Sequence, residues 1–271
     1  MRRAVFFALV AVLLAAIGLS VWQIGSYVMD SRRSRGQYQE LAQLRQEATV
    51  PKETEPTVTV ETVPEEKAEM AETVATEPPA PEVLPELAGL LAVNPDLVGW
   101  IRVPGTVIDY PVVQRPGERD WYLKRDFYGQ KSSAGCIYAR EVCDVALPSD
   151  NVTLYGHMMR DGSMFAQLNF FTNRKFWEEH RVFRFDSLYA HRSWEVVCVF
   201  RAEAQGEFQY QRFVEFGSAA EFGAFWDECQ ARAVFDTGVA PQWGDKLLCL
   251  STCEYTLQDG RLVVLARMVE G

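Results

Sequence analysis

Short apolar runs, broken by Gly, Pro, Asp and Asn, recur through the last two thirds of the chain. They are Val98–Val103, Val107–Gln114, Gly135–Ala139, Asn151–Tyr155, Val182–Tyr189, Trp194–Ala204, Lys246–Ser251 and Leu262–Met268. Runs of this length bounded by turn residues read as strands. Eight or so of them predict a mainly β fold, a closed or nearly closed barrel. Helical spacing interrupts the strands at Ser163–Phe170 and at Ser218–Ala233. In the second, Ser218 and Glu221 form a capping-box pattern, and Phe222, Phe225, Trp226, Cys229 and Ala233 recur on one face. That face should pack on the barrel. Leu87–Val93 predicts a further short helix.

The N-terminus has a different pattern. After Arg2 and Arg3, Ala4–Trp22 carries no charge, and as a helix it is about 28 Å long, close to the hydrocarbon thickness of a bilayer. This predicts a transmembrane signal anchor over residues 1–30. Small residues such as Ala15, Ala16 and Gly18 leave a cleaved signal peptide as the alternative. Ser31–Glu47 is polar and helix-permitting, an extension of the anchor. Thr49–Pro85 is rich in Pro, Thr, Glu, Val and Ala, with too few large apolar residues to offset chain entropy, so residues 31–83 read as a polar extension and a disordered stalk. A folded domain then occupies 84–271.

Charge adds one point. The net charge is −10, but Glu47–Glu86 holds 11 Glu and 2 Lys and so supplies nine of those ten negative charges. The acidity belongs to the stalk, and no basic face suggests nucleic acid as a partner. The six cysteines form no paired CxxC clusters and no zinc pattern; proximity alone leaves a Cys136–Cys143 disulfide open. No metal or organic cofactor is implied, and no acidic cluster in the strands suggests calcium.

Candidate chemistry is confined to few residues. Of three histidines, His180 ends a helix-like segment and His191 sits in a turn. His157 ends a strand, in Thr153-Leu-Tyr-Gly-His157, beside a glycine that permits close approach. Cys198, Cys229 and Cys249 lie in apolar stretches and read as core. Cys253 stands where a strand turns polar, in Leu248-Cys-Leu-Ser-Thr-Cys-Glu-Tyr255. Antiparallel pairing across the next loop would bring Arg261 beside it, where a guanidinium favours the thiolate and can stabilise an oxyanion. The alternative is an Arg261 paired with Asp259 or Glu254 at the surface.

These segments resemble a known family. T-L-Y-G-H at 153–157 with D-G-S-M-F at 161–165, L-S-T-C-E-Y at 250–255 and G-R-L-V-V at 260–264 are similar to the His, Cys and Arg motifs of class B sortases. Asn94–Ile101, Thr106–Val113 and the helix before the cysteine strand resemble that family as well. The resemblance runs from about Asn94 to the end of the chain. It implies a sortase-like closed β-barrel with flanking helices and a cysteine transpeptidase activity on an NPxT-type sorting signal. It further implies Cys253 as nucleophile, His157 as acid and base, and Arg261 as oxyanion clamp, with Leu123, Ser251, Glu254 and Tyr255 lining the groove. Family members often have Asn or His where this chain has Met158, and Asn where it has Arg119; both differences bear on the sorting signal. The implied partners are surface proteins with a C-terminal sorting signal and an amine acceptor on a wall precursor or a pilin. The implied location is the cell membrane, with the domain outside. A pilin polymerase, a thiol hydrolase and an inactive stalked binding module are the alternatives.

Overall fold

The computed structural model describes residues 2–49, 81–254 and 259–269. Most of the expected stalk, residues 50–80, lies outside the described residues.

Eight strands form a closed barrel: β1 (Leu97–Arg102), β2 (Asp109–Val113), β3 (Ile137–Ala139), β4 (Asn151–Tyr155), β5 (Val182–Ser187), β6 (Ser193–Glu203), β7 (Leu247–Glu254) and β8 (Gly260–Val269). Their order around the barrel is β1-β2-β3-β4-β7-β8-β6-β5. β2–β3 and β4–β7 are parallel, and the remaining pairs are antiparallel. Alternation along each strand divides the apolar residues between two cores. Leu248 and Leu250 of β7 and Leu262, Val264 and Ala266 of β8 face the barrel interior, with Ile101 and Val112. The intervening Leu247, Cys249, Val263 and Leu265 face outward, beneath α4 (Ala219–Ala231). Phe222, Phe225 and Cys229 of α4 close this second core, as the helical spacing predicts. Ser218 caps the helix through Glu221 N at 3.2 Å, while the Glu221 carboxylate accepts from Gly217 N at 2.8 Å, one residue earlier than in an ideal capping box.

The segment expected as a helix at Ser163–Phe170 is instead a 3₁₀ helix at Ala166–Thr172. Met164 has φ 56°, in the left-handed region, so an α-helix cannot run through it. A short helix, α3 (Arg174–His180), follows; the Asn173 side chain caps it and His180 ends it.

α1 (Arg2–Thr49) is one unbroken helix. It contains a window of mean hydropathy 2.0, none of it buried in the protein, long and apolar enough to cross a membrane. Its C-terminal part, the expected polar extension, lies on the barrel. Ser31, Ser34, Tyr38 and Leu41 are buried there. Tyr38 donates to the Gly135 carbonyl at 2.6 Å and sets its ring edge-on to Tyr110. Arg45 pairs with Asp186 of β5 at 2.9 Å, and α2 (Pro85–Val93) packs beside it. All six cysteines are free thiols, so the Cys136–Cys143 bridge is not formed.

Candidate active site

β4 and β7 run parallel in register, Tyr155 opposite Ser251, and Gly156 N extends the ladder to the Ser251 carbonyl at 3.1 Å. His157 and Cys253 each stand two residues beyond that pair. They therefore rise to the same height on strands about 4.8 Å apart. On the other side of Cys253, β8 places Arg261 directly opposite in the antiparallel register. The order across the sheet is His157, Cys253, Arg261. Residues from two distant parts of the chain, the end of β4 and the β7–β8 hairpin, thus meet on the outer face of the barrel.

Local contacts fix His157 and Arg261. A Cβ on Gly156 would lie 2.5 Å from Ile137 Cδ1 and 2.7 Å from the Phe165 ring, so only glycine admits Phe165 behind His157. Phe165 N in turn donates to the His157 carbonyl at 3.0 Å. The His157 Nε2 lies 2.7 Å from the Leu123 carbonyl. A carbonyl only accepts, so Nε2 carries the hydrogen, and Nδ1 is the nitrogen left to exchange protons. Arg261 donates through Nη1 to the carbonyls of Asp259 and Gly260, at 3.2 and 2.9 Å, which anchors it without neutralising it. The surface ion pair considered as its alternative role is not formed with Asp259, whose carbonyl rather than carboxylate is engaged.

The loop after His157 is held from outside the barrel. Asp161 accepts from Ser163 N at 3.0 Å and Oγ at 2.6 Å, and from Arg35 of α1 at 2.7 Å; Ser31 Oγ also donates to it. Burial alone would raise the Asp161 carboxyl, but the bonds from Ser163, Ser31 and Arg35 outweigh it and hold the group well below the usual carboxylate range.

A cleft of about 360 Å³ contains all three residues and runs along the outer face of β3, β4 and β7. Leu123 and Ser251 are among its lining residues. The Ser251 hydroxyl is already engaged with the Tyr210 hydroxyl at 2.7 Å. Tyr255 and the Glu254 side chain lie outside the described residues. Sequence reasoning missed Tyr138, Tyr155 and Arg140, which form the far end of the cleft. Tyr138 and Tyr155 pair across β3 and β4, and alternation with Arg140 is the signal that could have placed them on one face. One buried polar group here, Arg140 Nη1, has no hydrogen-bond partner among the described residues. Such a group costs free energy until a bound molecule supplies one.

Of the six thiols, only Cys253 is partly exposed. Burial pushes Cys136 and Cys198 up to about 12 and raises Cys143, Cys229 and Cys249 too. His180 and His191 are remote from the cleft. His191 lies with Glu86 and Asp186 in a group whose donor atoms could hold a cation, but the Arg45 guanidinium already sits 2.9 Å from Asp186 and 3.9 Å from Glu86.

No family model matches the chain. It is 31% identical over 190 residues to sortase B of Listeria monocytogenes, covering 69% of this chain and 76% of that protein. The corresponding protein of Staphylococcus aureus is 30% identical over 190 residues, with the same coverage. The chain belongs to the class B sortases. Solved structures agree. Bacillus anthracis sortase B in complex with AAEK1 matches with a TM-score of 0.70 and 28% identity, over 90% of this chain and 99% of that one. A Staphylococcus aureus sortase B–substrate complex gives 0.70 and 25%, over 89% and 99%. Clostridium perfringens sortase B gives 0.62 and 29%, over 67% and 98%. Membership makes the chain a cysteine transpeptidase of the cell surface, with the closed barrel and flanking helices of its family.

Proposed function

We propose that the chain cleaves an NPxT-type sorting signal after its Thr and transfers the protein to an amine of the cell wall. The observation that carries this reading is the in-register row of His157, Cys253 and Arg261 on adjacent strands, at the one accessible thiol. Cys253 is the nucleophile: its thiolate attacks the Thr carbonyl. Arg261 stabilises the oxyanion that forms. His157, protonated on Nδ1, gives its proton to the leaving amine, and the C–N bond breaks to leave a thioester. The neutral His157 then takes a proton from the incoming amine, which attacks the thioester and releases Cys253. The anchor over residues 1–30 keeps the domain, 84–271, outside the membrane, and residues 31–83 connect them. Leu123, Ser251, Glu254 and Tyr255 line the groove.

The test is the detergent-solubilised full chain with a fluorogenic NPxTG-type peptide, with and without an amine acceptor. Cleavage and an amide product are expected from the wild type. Cys253→Ala should lose both, by at least about 10³-fold, the scale of losing a covalent nucleophile. Cleavage that survives the substitution refutes the scheme. Cleavage that yields only free acid at every acceptor concentration makes the enzyme a hydrolase.

A further inference from the structure

His157 opens onto two clefts. The first holds Cys253 and Arg261. The second, about 870 Å³, shares His157, Leu123 and Asp120 with the first but excludes Cys253. Its remaining walls include Lys124, Arg125 and Lys131 from the segment before β3, and Asp30 from α1.

The charges of this second cleft are unbalanced. Asp30 is engaged by the Ser133 amide at 2.8 Å and by its hydroxyl. Asp120 accepts from the Tyr138 hydroxyl at 2.8 Å and lies 3.5 Å from Arg119. Among the described residues, no carboxylate comes within ion-pair distance of Lys124, Arg125 or Lys131. Arg125 rests instead on the Trp121 ring, 4.1 Å from its centroid. Three cations thus face a cleft that holds only two carboxylates, one of them beside Arg119, and the net positive field attracts and retains an anion.

We infer that this second cleft is the acceptor site, and that it takes a primary amine carried on a negatively charged group. The inference rests on the transpeptidase reading above, since it concerns the second half of that reaction. The first cleft is occupied by the acyl segment once the thioester has formed. The incoming amine must then meet both the thioester carbon and His157, and the second cleft is the approach that reaches His157 without crossing the acyl segment. There the amine loses one proton to His157 and forms a C–N bond. The C–S bond breaks, and its electron pair returns to Cys253 as thiolate. By reversibility, the leaving amine departs from the same place. Lys124, Arg125 and Lys131 hold the anionic part of the acceptor and so orient its amine; they touch no reacting atom.

The experiment compares acceptors at a fixed concentration of a donor peptide that ends, as a C-terminal amide, one residue beyond the scissile bond, so that its leaving amine carries no anion and does not depend on the lysines, using the full chain in detergent. Triglycine is set against triglycinamide, and phosphoethanolamine against ethanolamine. Each anionic acceptor is expected to show a KM about ten-fold below its neutral counterpart, equivalent to about 1.4 kcal/mol. The larger of the two advantages identifies carboxylate or phosphate as the preferred anion. In the variant Lys124→Glu/Lys131→Glu the advantage should vanish, and the ratio of amide to free-acid product with triglycine should fall about ten-fold. Donor hydrolysis without acceptor should stay at the wild-type rate, which also reports that the variant folds. Equal KM values for charged and neutral acceptors overturn the inference. So does an unchanged product ratio in the variant, or a loss of donor hydrolysis that matches the loss of transfer. A wild-type chain that never cleaves the donor refutes the proposed function instead, before the acceptor is tested.

Discussion

His157 owes its orientation to a main-chain oxygen. The Leu123 carbonyl fixes the tautomer from 34 positions away, and no motif announces it, because a carbonyl is present at every residue. The candidate side chains Cys253 and His157 were legible in the sequence for the opposite reason: a Cys where a strand turns polar and a strand-end His stand out in so apolar a context. Asp161 belongs with the illegible part. It lies in the expected D-G-S-M-F segment, but its partners Ser31 and Arg35 are distant in sequence. Its folded carboxyl titrates below the ordinary value of 3.8, so its stabilising effect is fully present above that value and is lost as pH falls toward the folded one. Asp161→Asn should therefore lower the melting temperature at pH 7 by a constant amount down to about pH 5, and by a shrinking amount in stronger acid. Thermal denaturation across that range checks it. A difference that persists undiminished at pH 2 would show that the charge is not what stabilises the loop.

Elements were read with uneven success, and α1 shows why. Its inward stripe, buried Ser31, Ser34, Tyr38 and Leu41 and then half-buried Arg45, follows a three-four spacing, yet three of the five residues are polar. A hydrophobicity pattern passes over such a stripe, because hydrogen bonds and ion pairs supply part of what apolar contact supplies elsewhere. The helix braces the turn before β3, through Tyr38 on the Gly135 carbonyl, and the loop after His157, through Arg35 on Asp161. A chain that begins at Pro81 should therefore melt lower and turn over more slowly than the full chain. Burial of Tyr38 and Leu41 alone contributes about 3 kcal/mol or more, which corresponds to a fall of roughly 6–12 °C for a domain of this size. Calorimetry and the rate constant for donor cleavage test this together. Equal melting temperatures and equal rates would mean that the brace contributes nothing. By contrast α4 was fully legible, since its cap and its aromatic face are both local signals.

At the scale of the whole molecule, alternation of apolar and polar residues revealed the strands, and their number was right. Their neighbours were not legible. The parallel pairing of β4 with β7, which brings the histidine strand to the cysteine strand, joins segments separated by α3, β5, β6 and α4. Periodicity says which face of a strand is buried and nothing about which strand lies beside it. The class B resemblance supplied what periodicity could not. The same assembly buries five thiols and leaves one at the surface. To an alkylating reagent the folded chain is accordingly monovalent. One equivalent should react quickly under native conditions, and five more should appear only in denaturant. Mass spectrometry of the labelled protein would count them. A second fast-reacting thiol would show that a core opens readily: the one under α4 if it is Cys198, Cys229 or Cys249, and the other if it is Cys136 or Cys143. With one, the number of labels per chain becomes a titration of competent active sites, and any preparation can be standardised by its own chemistry.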